Sequence, residues 1–210
     1  KIQTIRSNIT QSNASAHFIS ALDDIAWLLN YRGQDVEYNP VFLAHLWIDA
    51  DQVILFIDLN KVSQALKDNL SADGIQILPY AESHRFLSTQ QDQSVLIDPA
   101  KVSISHAQQI TQNNRLIEQI NPSTLLKSRK HPSEIAHIRS AMQKDGVALC
   151  HFFHWLEHAL AAKQNISELT IDEKITAFRA EQAGFIGLSF STIAGFNENG
   201  ALPHYRATQE

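Results

Sequence analysis

The chain has 210 residues, 44% hydrophobic and 19% charged, with only 7 Gly and 6 Pro; this is ordinary globular composition and excludes extended disorder, collagen-like repeats and low complexity. Lys and Arg number 17 against 22 Asp and Glu, a formal net charge of -5, so the basic surplus of a general nucleic-acid binder is missing. The single cysteine, Cys150, excludes an internal disulfide or a multi-cysteine zinc site and fits a reducing compartment, and no apolar run approaches the ~20 residues needed to cross a bilayer.

The chain opens in a helical pattern, with Ile2, Ile5 and Ile9 at helical spacing. Position 1 is Lys, the only methionine is Met142, and KIQTIRSNIT lacks the apolar core of a signal peptide. This start reads as a chain cut from something longer, with proteolytic processing as the alternative. Ala16–Ser20 reads as a short buried strand. Asp23 and Asp24 then precede a short helix over Ile25–Leu29, and Tyr31–Pro40, with Gly33 and Pro40, breaks the pattern. Val41–Ile48 and Val53–Ile57 are apolar runs separated by Ala50–Asp51 and predict an antiparallel hairpin. Next come a helix over Lys61–Leu70, a strand over Ile75–Leu78, a helix over Glu82–Thr89 and a strand over Val95–Ile97. Val102–Thr111 completes the helices and Arg115–Gln119 the strands. This alternation is the α/β signature.

After about residue 120 the alternation stops. Pro132–Lys163 carries one long helical pattern whose stripe is Ile135, Ile138, Met142, Leu149, Phe152, Leu156 and Leu160. Thr170 and Glu173 have capping-box spacing for a second helix running to about Ala183 and closed by Gly184. Leu188–Ala194 and Ala201–Arg206 are strand candidates joined by the turn signal Asn199–Gly200. A domain boundary belongs near Asn121–Lys130, dividing the chain into 1–126 and 127–210. Two helices and a hairpin are too little for a core of their own.

Ten histidines make metal chemistry worth weighing. His151, His154 and His158 share one helical face, but that face lies opposite the apolar stripe and reads as solvated surface rather than a metal site. Cys150 reads as a core residue rather than a nucleophile. Asp23–Asp24 reads as helix-start chemistry, Asp49 and Asp51 as turn residues, and Arg32–Gly33 as turn chemistry more than a ligand clamp. No phosphate loop, dinucleotide glycine motif or nucleophile elbow is present. His204, at the rim of the last expected strand, reads by spacing alone as strand-end filling more than as a proton donor or oxyanion stabiliser.

Three blocks carry a family resemblance. Ser20–Phe42 (SALDDIAWLLNYRGQDVEYNPVF) resembles the second N-terminal domain of three-domain, cytosolic-type Xaa-Pro aminopeptidases. Lys127–Glu157 resembles the opening helix of their catalytic domain, and Gly187–Tyr205 (GLSFSTIAGFNENGALPHY) its first active-site hairpin. The resemblance implies an α/β fold: a complete creatinase N-terminal-like domain with a mixed sheet flanked by helices over 1–126, followed over 127–210 by the start of a pita-bread domain. It implies an enzyme that removes an N-terminal residue from peptides with proline second. Two divalent metals, usually manganese, supply its nucleophile. It further implies a cytoplasmic homodimer; the charge balance and the lack of a long apolar run add the expectation of no nucleic-acid or membrane partner.

His204 matches the family's catalytic-site histidine in the HY pair. The five usual metal ligands lie downstream in the family, so none is expected in this segment, which should be inactive alone. His204 should then be solvent-exposed or poorly ordered. Arg206 stands where a smaller or neutral residue is more usual. The alternatives are a non-catalytic relative serving as a binding or scaffold module, and a metal-free creatinase-like hydrolase.

Overall fold

The computed structural model describes residues 1–209. It divides into two compact units, the first spanning Lys1–Arg129 and the second beginning at Lys130.

The first unit is a mixed six-stranded sheet with helices on both faces. In chain order it comprises α1 (Ile2–Gln11), β1 (Ala16–Ile19), α2 (Leu22–Leu29), β2 (Ala44–Asp49), β3 (Val53–Ile57), α3 (Gln64–Ala72), β4 (Ile75–Pro79), α4 (Glu82–Thr89), β5 (Ser94–Ile97), α5 (Ile104–Thr111), β6 (Arg115–Glu118) and α6 (Pro122–Ser128). The strand order is β4-β3-β2-β1-β5-β6. Only β2 runs against its neighbours; β1–β5, β3–β4 and β5–β6 are parallel pairs. The expected hairpin is β2–β3, with Trp47 opposite Ile54.

The apolar runs of β2 and β3 are nearly continuous because both sheet faces are covered. Strand alternation sends Ala44, Leu46, Ile48, Val53, Leu55 and Ile57 to one core, against Ile5 and Ile9 of α1, Ile25 and Leu28 of α2 and Leu70 of α3. It sends Trp47, Ile54 and Phe56 to the other, with Phe18, Val95 and Ile97, against Leu87 of α4 and Ile110 of α5. The helices begin on ordinary caps: the Ser63 and Ser103 hydroxyls accept from Leu66 N and His106 N. Helix α2 ends at Asn30, which takes the left-handed conformation open to asparagine.

The loop after α2 is held by main-chain approach. A Cβ on Gly33 would lie 2.7 Å from Phe42 Cβ and 3.0 Å from Val41 O, so only glycine fits. Arg32 turns its guanidinium inward and donates to Ala26 O at 3.1 Å and Tyr31 O at 2.9 Å. That use of one guanidinium nitrogen closes the turn.

Asp24 goes beyond helix-start chemistry. It is fully buried, and its Oδ2 accepts from Asn121 Nδ2, Ser123 Oγ and Thr124 Oγ1 at 3.1, 3.0 and 2.7 Å. Lys127 Nζ lies 2.8 Å from Oδ1 and also pairs with Asp23. Burial pushes the Asp24 carboxyl up, but the bonds from Lys127, Thr124 and Ser123 outweigh it and hold it below the usual range. One carboxylate thus pins α6 to α2 across nearly the whole unit. The expected 126/127 boundary falls within α6.

The second unit contains α7 (Pro132–Ala161) and α8 (Glu168–Ala180), with a 3-10 turn over Asn197–Ala201. Pro132 sits at the first position of α7, and His131 and Glu134 form a reciprocal capping box. The two helices pack on each other, and Arg179 Nε donates to Asp145 Oδ1 at 2.7 Å.

Four expectations for this unit are corrected. The α7 stripe does not turn inward along its length. Of the residues expected to face inward, Phe152 is buried with Ala148 and Ala159, and Leu149 and Leu156 are half-buried, whereas Ile135 and Ile138, like Met142 and Leu160 of the same stripe, are exposed. The period is helical as expected, but α8 is only 13 residues long against 30 and covers only part of its partner. Cys150 is exposed, because the buried line on α7 runs through Ala148, Phe152 and Ala159. Helix α8 starts at Ser167, whose hydroxyl accepts from Thr170 N and which shares a capping box with Thr170. Serine caps at least as well as threonine, and the earlier start sets Glu168 at the positive helix end. The helix ends at Ala180, before the expected Ala183.

Finally, Leu188–Ala194 and Ala201–Arg206 are not strands, and Asn199–Gly200 lies inside the 3-10 turn. A two-stranded ribbon without a third strand or a covering face is marginal in water. Here a side chain of α8 takes the main-chain donor of Phe196 instead.

Candidate functional site

His204 lies in the segment after the 3-10 turn, exposed and with φ 60°, in the left-handed region. Its neighbour Tyr205 is anchored. Glu168, the first residue of α8, accepts from Tyr205 Oη at 2.7 Å through Oε2 and from Phe196 N at 2.6 Å through Oε1. Asn199 Nδ2 lies 3.3 Å from both carboxylate oxygens and 3.2 Å from Tyr205 Oη. The bond from Tyr205, then that from Phe196, holds the Glu168 carboxyl below its ordinary range, and the same carboxylate holds the Tyr205 phenol above its own. The structure therefore brings His204 and Tyr205 to one carboxylate-bound loop. Glu168 was not singled out from the sequence, because its partners lie 28 to 37 positions away.

Beside this loop an open cleft of about 890 Å³ runs between α7, α8 and the segment Gly184–Ala194. Its walls include Met142, Phe152, Ile171, Ile175 and Phe190. Lys144 Nζ donates to Ala183 O at 2.6 Å at one side.

His151, His154 and His158 are exposed on α7, as their spacing predicts. The His154 and His158 rings stand 4.1 Å apart, and His158 Nδ1 is 2.8 Å from His154 O, which spends that nitrogen on the helix itself. His151 meets Phe178 edge-on at 5.9 Å. Among residues 1–209, no group of three or more His, Cys, Asp and Glu is arranged to hold a metal ion. The residues present therefore do not fit a two-metal centre, and no chemical step is assigned to one within them.

The first unit holds a histidine cluster that sequence spacing does not reveal. Ser20, just past β1, lies with its Oγ 2.8 Å from Nδ1 of the buried His45 on β2. The His45 ring stacks on Tyr80 at 4.8 Å and lies 4.6 Å from His106, which lies 5.0 Å from His84. Burial, with His106 adding, pushes His45 down to about 4. Burial and then His84 lower His106. On the opposite face of the sheet, fully buried His17 bonds Leu96 O at 2.9 Å through Nδ1. Burial pushes it down to about 4, against that bond and the charges of Asp24 and Asp98. His17 and His45 are thus packed as buried core groups whose charged form is disfavoured.

A mixed sheet sandwiched by helices and followed by a helical unit bearing an HY loop defines the class. The chain belongs to the creatinase/prolidase N-terminal domain family, whose profile matches residues 1–134. Residues 136–210 match metallopeptidase family M24.

Xaa-Pro aminopeptidase 1 of Dictyostelium discoideum is 37% identical over 212 residues, covering 98% of this chain and 33% of that protein. Xaa-Pro aminopeptidase ApepP of Drosophila melanogaster is 33% identical over 216 residues, covering 100% and 35%. Among solved structures, the X-prolyl aminopeptidase of Caenorhabditis elegans, a cytosolic enzyme with a di-nuclear active site, superposes with a TM-score of 0.92 at 27% identity. That match covers all of this chain and 35% of the other. The chain thus spans about a third of the length of the relatives it matches. No helix among residues 1–209 is long and apolar enough to cross a membrane.

Proposed function

We propose that this chain is the middle segment of an Xaa-Pro aminopeptidase, a hydrolase that frees an N-terminal residue from peptides with proline in second position. In this reading residues 1–126 form the second creatinase N-terminal-like domain and 127–210 open the pita-bread catalytic domain. The observation that carries it is similarity to Xaa-Pro aminopeptidases along 98% or more of the chain, through both units in order. The reading brings with it two manganese ions bound by residues outside this chain, a homodimer and a cytoplasmic location, the last in line with the cytosolic nematode enzyme.

A proline amide carries no N–H, so recognition of the scissile bond falls to groups that reach its carbonyl or the substrate ends. His204 is this segment's contribution. A neutral imidazole both donates and accepts one hydrogen bond, and so can polarise a carbonyl without a formal charge.

The test is made on the full-length protein. Release of the first residue should occur from Xaa-Pro peptides with metal present and not from Xaa-Ala peptides, and the 210-residue chain alone should release nothing. His204→Ala should lower kcat by roughly 10²-fold, the scale of one positioned donor, with metal content unchanged. A metal-loaded, folded full-length protein inert on every Xaa-Pro peptide would favour the non-catalytic module instead. Full activity in the His204→Ala variant would remove that residue from the mechanism.

A further inference from the structure

We propose that Glu168 is a positioning residue: its carboxylate clamps the segment Phe196–Tyr205 to the start of α8 and thereby places His204. The inference rests on the catalytic reading of His204 given above, but the clamp itself is a matter of geometry. Glu168 follows the Ser167 cap, so its backbone belongs to the first turn of a 13-residue helix. From that rigid base one carboxylate accepts from Phe196 N at one end of the segment and from Tyr205 Oη at the other, with Asn199 Nδ2 between them.

Closure is tight. A Cβ on Gly195 would stand 2.7 Å from Asn199 O, so the entry to the segment tolerates only glycine. His204 lies between Pro203, whose ring fixes φ, and the anchored Tyr205, and it occupies the left-handed region at φ 60°. A non-glycine residue keeps that conformation only where its surroundings impose it. Here a four-residue turn supplies it: Tyr205 N donates to Leu202 O at 3.3 Å, with Pro203 second and His204 third, and the bonds to Glu168 fix that turn against α8. The Tyr205 and Phe196 bonds favour the charged carboxylate, and hydrogen bonds to an ionised acceptor are the stronger kind.

Two measurements test this. In the 210-residue chain, trypsin should cut after Arg206 faster in Glu168→Ala than in the parent, with cleavage after Arg179 unchanged. Equal rates after Arg206 would overturn the clamp. In the full-length, metal-loaded protein, Glu168→Ala should lower kcat roughly 10- to 100-fold, the scale of a displaced catalytic group, with metal content and KM nearly unchanged. Glu168→Gln should restore part of the loss, because its amide oxygen can still accept from Phe196 N. Glu168→Ala/His204→Ala should be no slower than His204→Ala alone, since a residue acting only through His204 has nothing further to lose. Additive losses would overturn the positioning role. If His204→Ala is fully active, the catalytic reading of His204 fails instead, and the Arg206 cleavage rate alone decides the clamp.

Discussion

The two units use similar apolar content in opposite ways. In the first, helices cover both sheet faces, and large side chains such as Trp47, Phe18 and Phe56 are completely buried. In the second, the buried apolar residues among those described are Ala148, Phe152, Ala159 and Ile175, while Met142 is 62% exposed, Phe190 66% and Ile186 91%. Both units obey their local periodicity. The difference is partners: a strand inside a six-stranded sheet meets neighbours on two edges and two faces, whereas a 30-residue helix against a 13-residue one does not. Helical period states which residues share a face, and only packing decides whether that face leaves water.

The sharpest way to break this contrast is a large-to-small change in the first unit. Trp47→Ala removes a buried indole edge-packed on Phe86 at 5.2 Å and strips Asp49 of the Nε1 donor at 2.7 Å. It should cost about 4–5 kcal/mol, read as a drop in the urea midpoint. A loss below about 1 kcal/mol would mean the two units are equally loose.

Asp24→Ala comes next. It leaves Asn121, Ser123 and Thr124 without their shared acceptor, and should cost about 3 kcal/mol by chemical denaturation. Because the folded carboxyl sits below its ordinary range, its contribution is complete above that range and fades as pH falls through the lowered folded value.

Acid should also weaken the first unit through His17 and His45. Both fold with a pKa of about 4, against 6.5 for an unperturbed ring. Between those values the unfolded chain binds protons that the folded chain refuses, so stability falls as pH drops from about 6.5 to about 4. For fully buried His17 the full loss is roughly 3 kcal/mol. Urea midpoints taken at pH 7.5, 6 and 5 should decline, and His45→Gln should flatten the decline. A pH-independent midpoint would show these rings to be solvated.

The smallest effects belong to the second unit. In the 210-residue chain, Cys150→Ser and Met142→Ser should each change stability by no more than about 0.5 kcal/mol, the range of surface substitutions. Cys150 should react with a thiol reagent in the folded 210-residue chain without prior unfolding. Slow reaction would place it under cover and restore the inward-facing reading of α7.

Most of the first unit was legible because its elements are short and strongly patterned. Continuous runs such as VILFI read as doubly covered strands, and the single turn between them read as a hairpin. The candidate site was legible only in part. His204 was found through the family-like HY block, while its holder Glu168 was masked by a rival cap signal at Thr170–Glu173. The Asn199–Gly200 turn signal was real, but the turn is a 3-10 one, and Phe196 N donates to Glu168 rather than to a partner strand.

Local chemistry in the chain by itself determined the alternation of strands and helices, the long α7 with Pro132 at its start, and the polar face of His151, His154 and His158. These depend on spacing and caps within a few residues, where sequence distance and spatial distance agree. Only the tertiary structure decided that Asp24 would hold α6, that His45 and His106 would share a cluster, and that Glu168 would bind the loop before His204. Those partners stand 28 to about 100 positions apart, and no local pattern encodes a contact that exists only once the chain has closed.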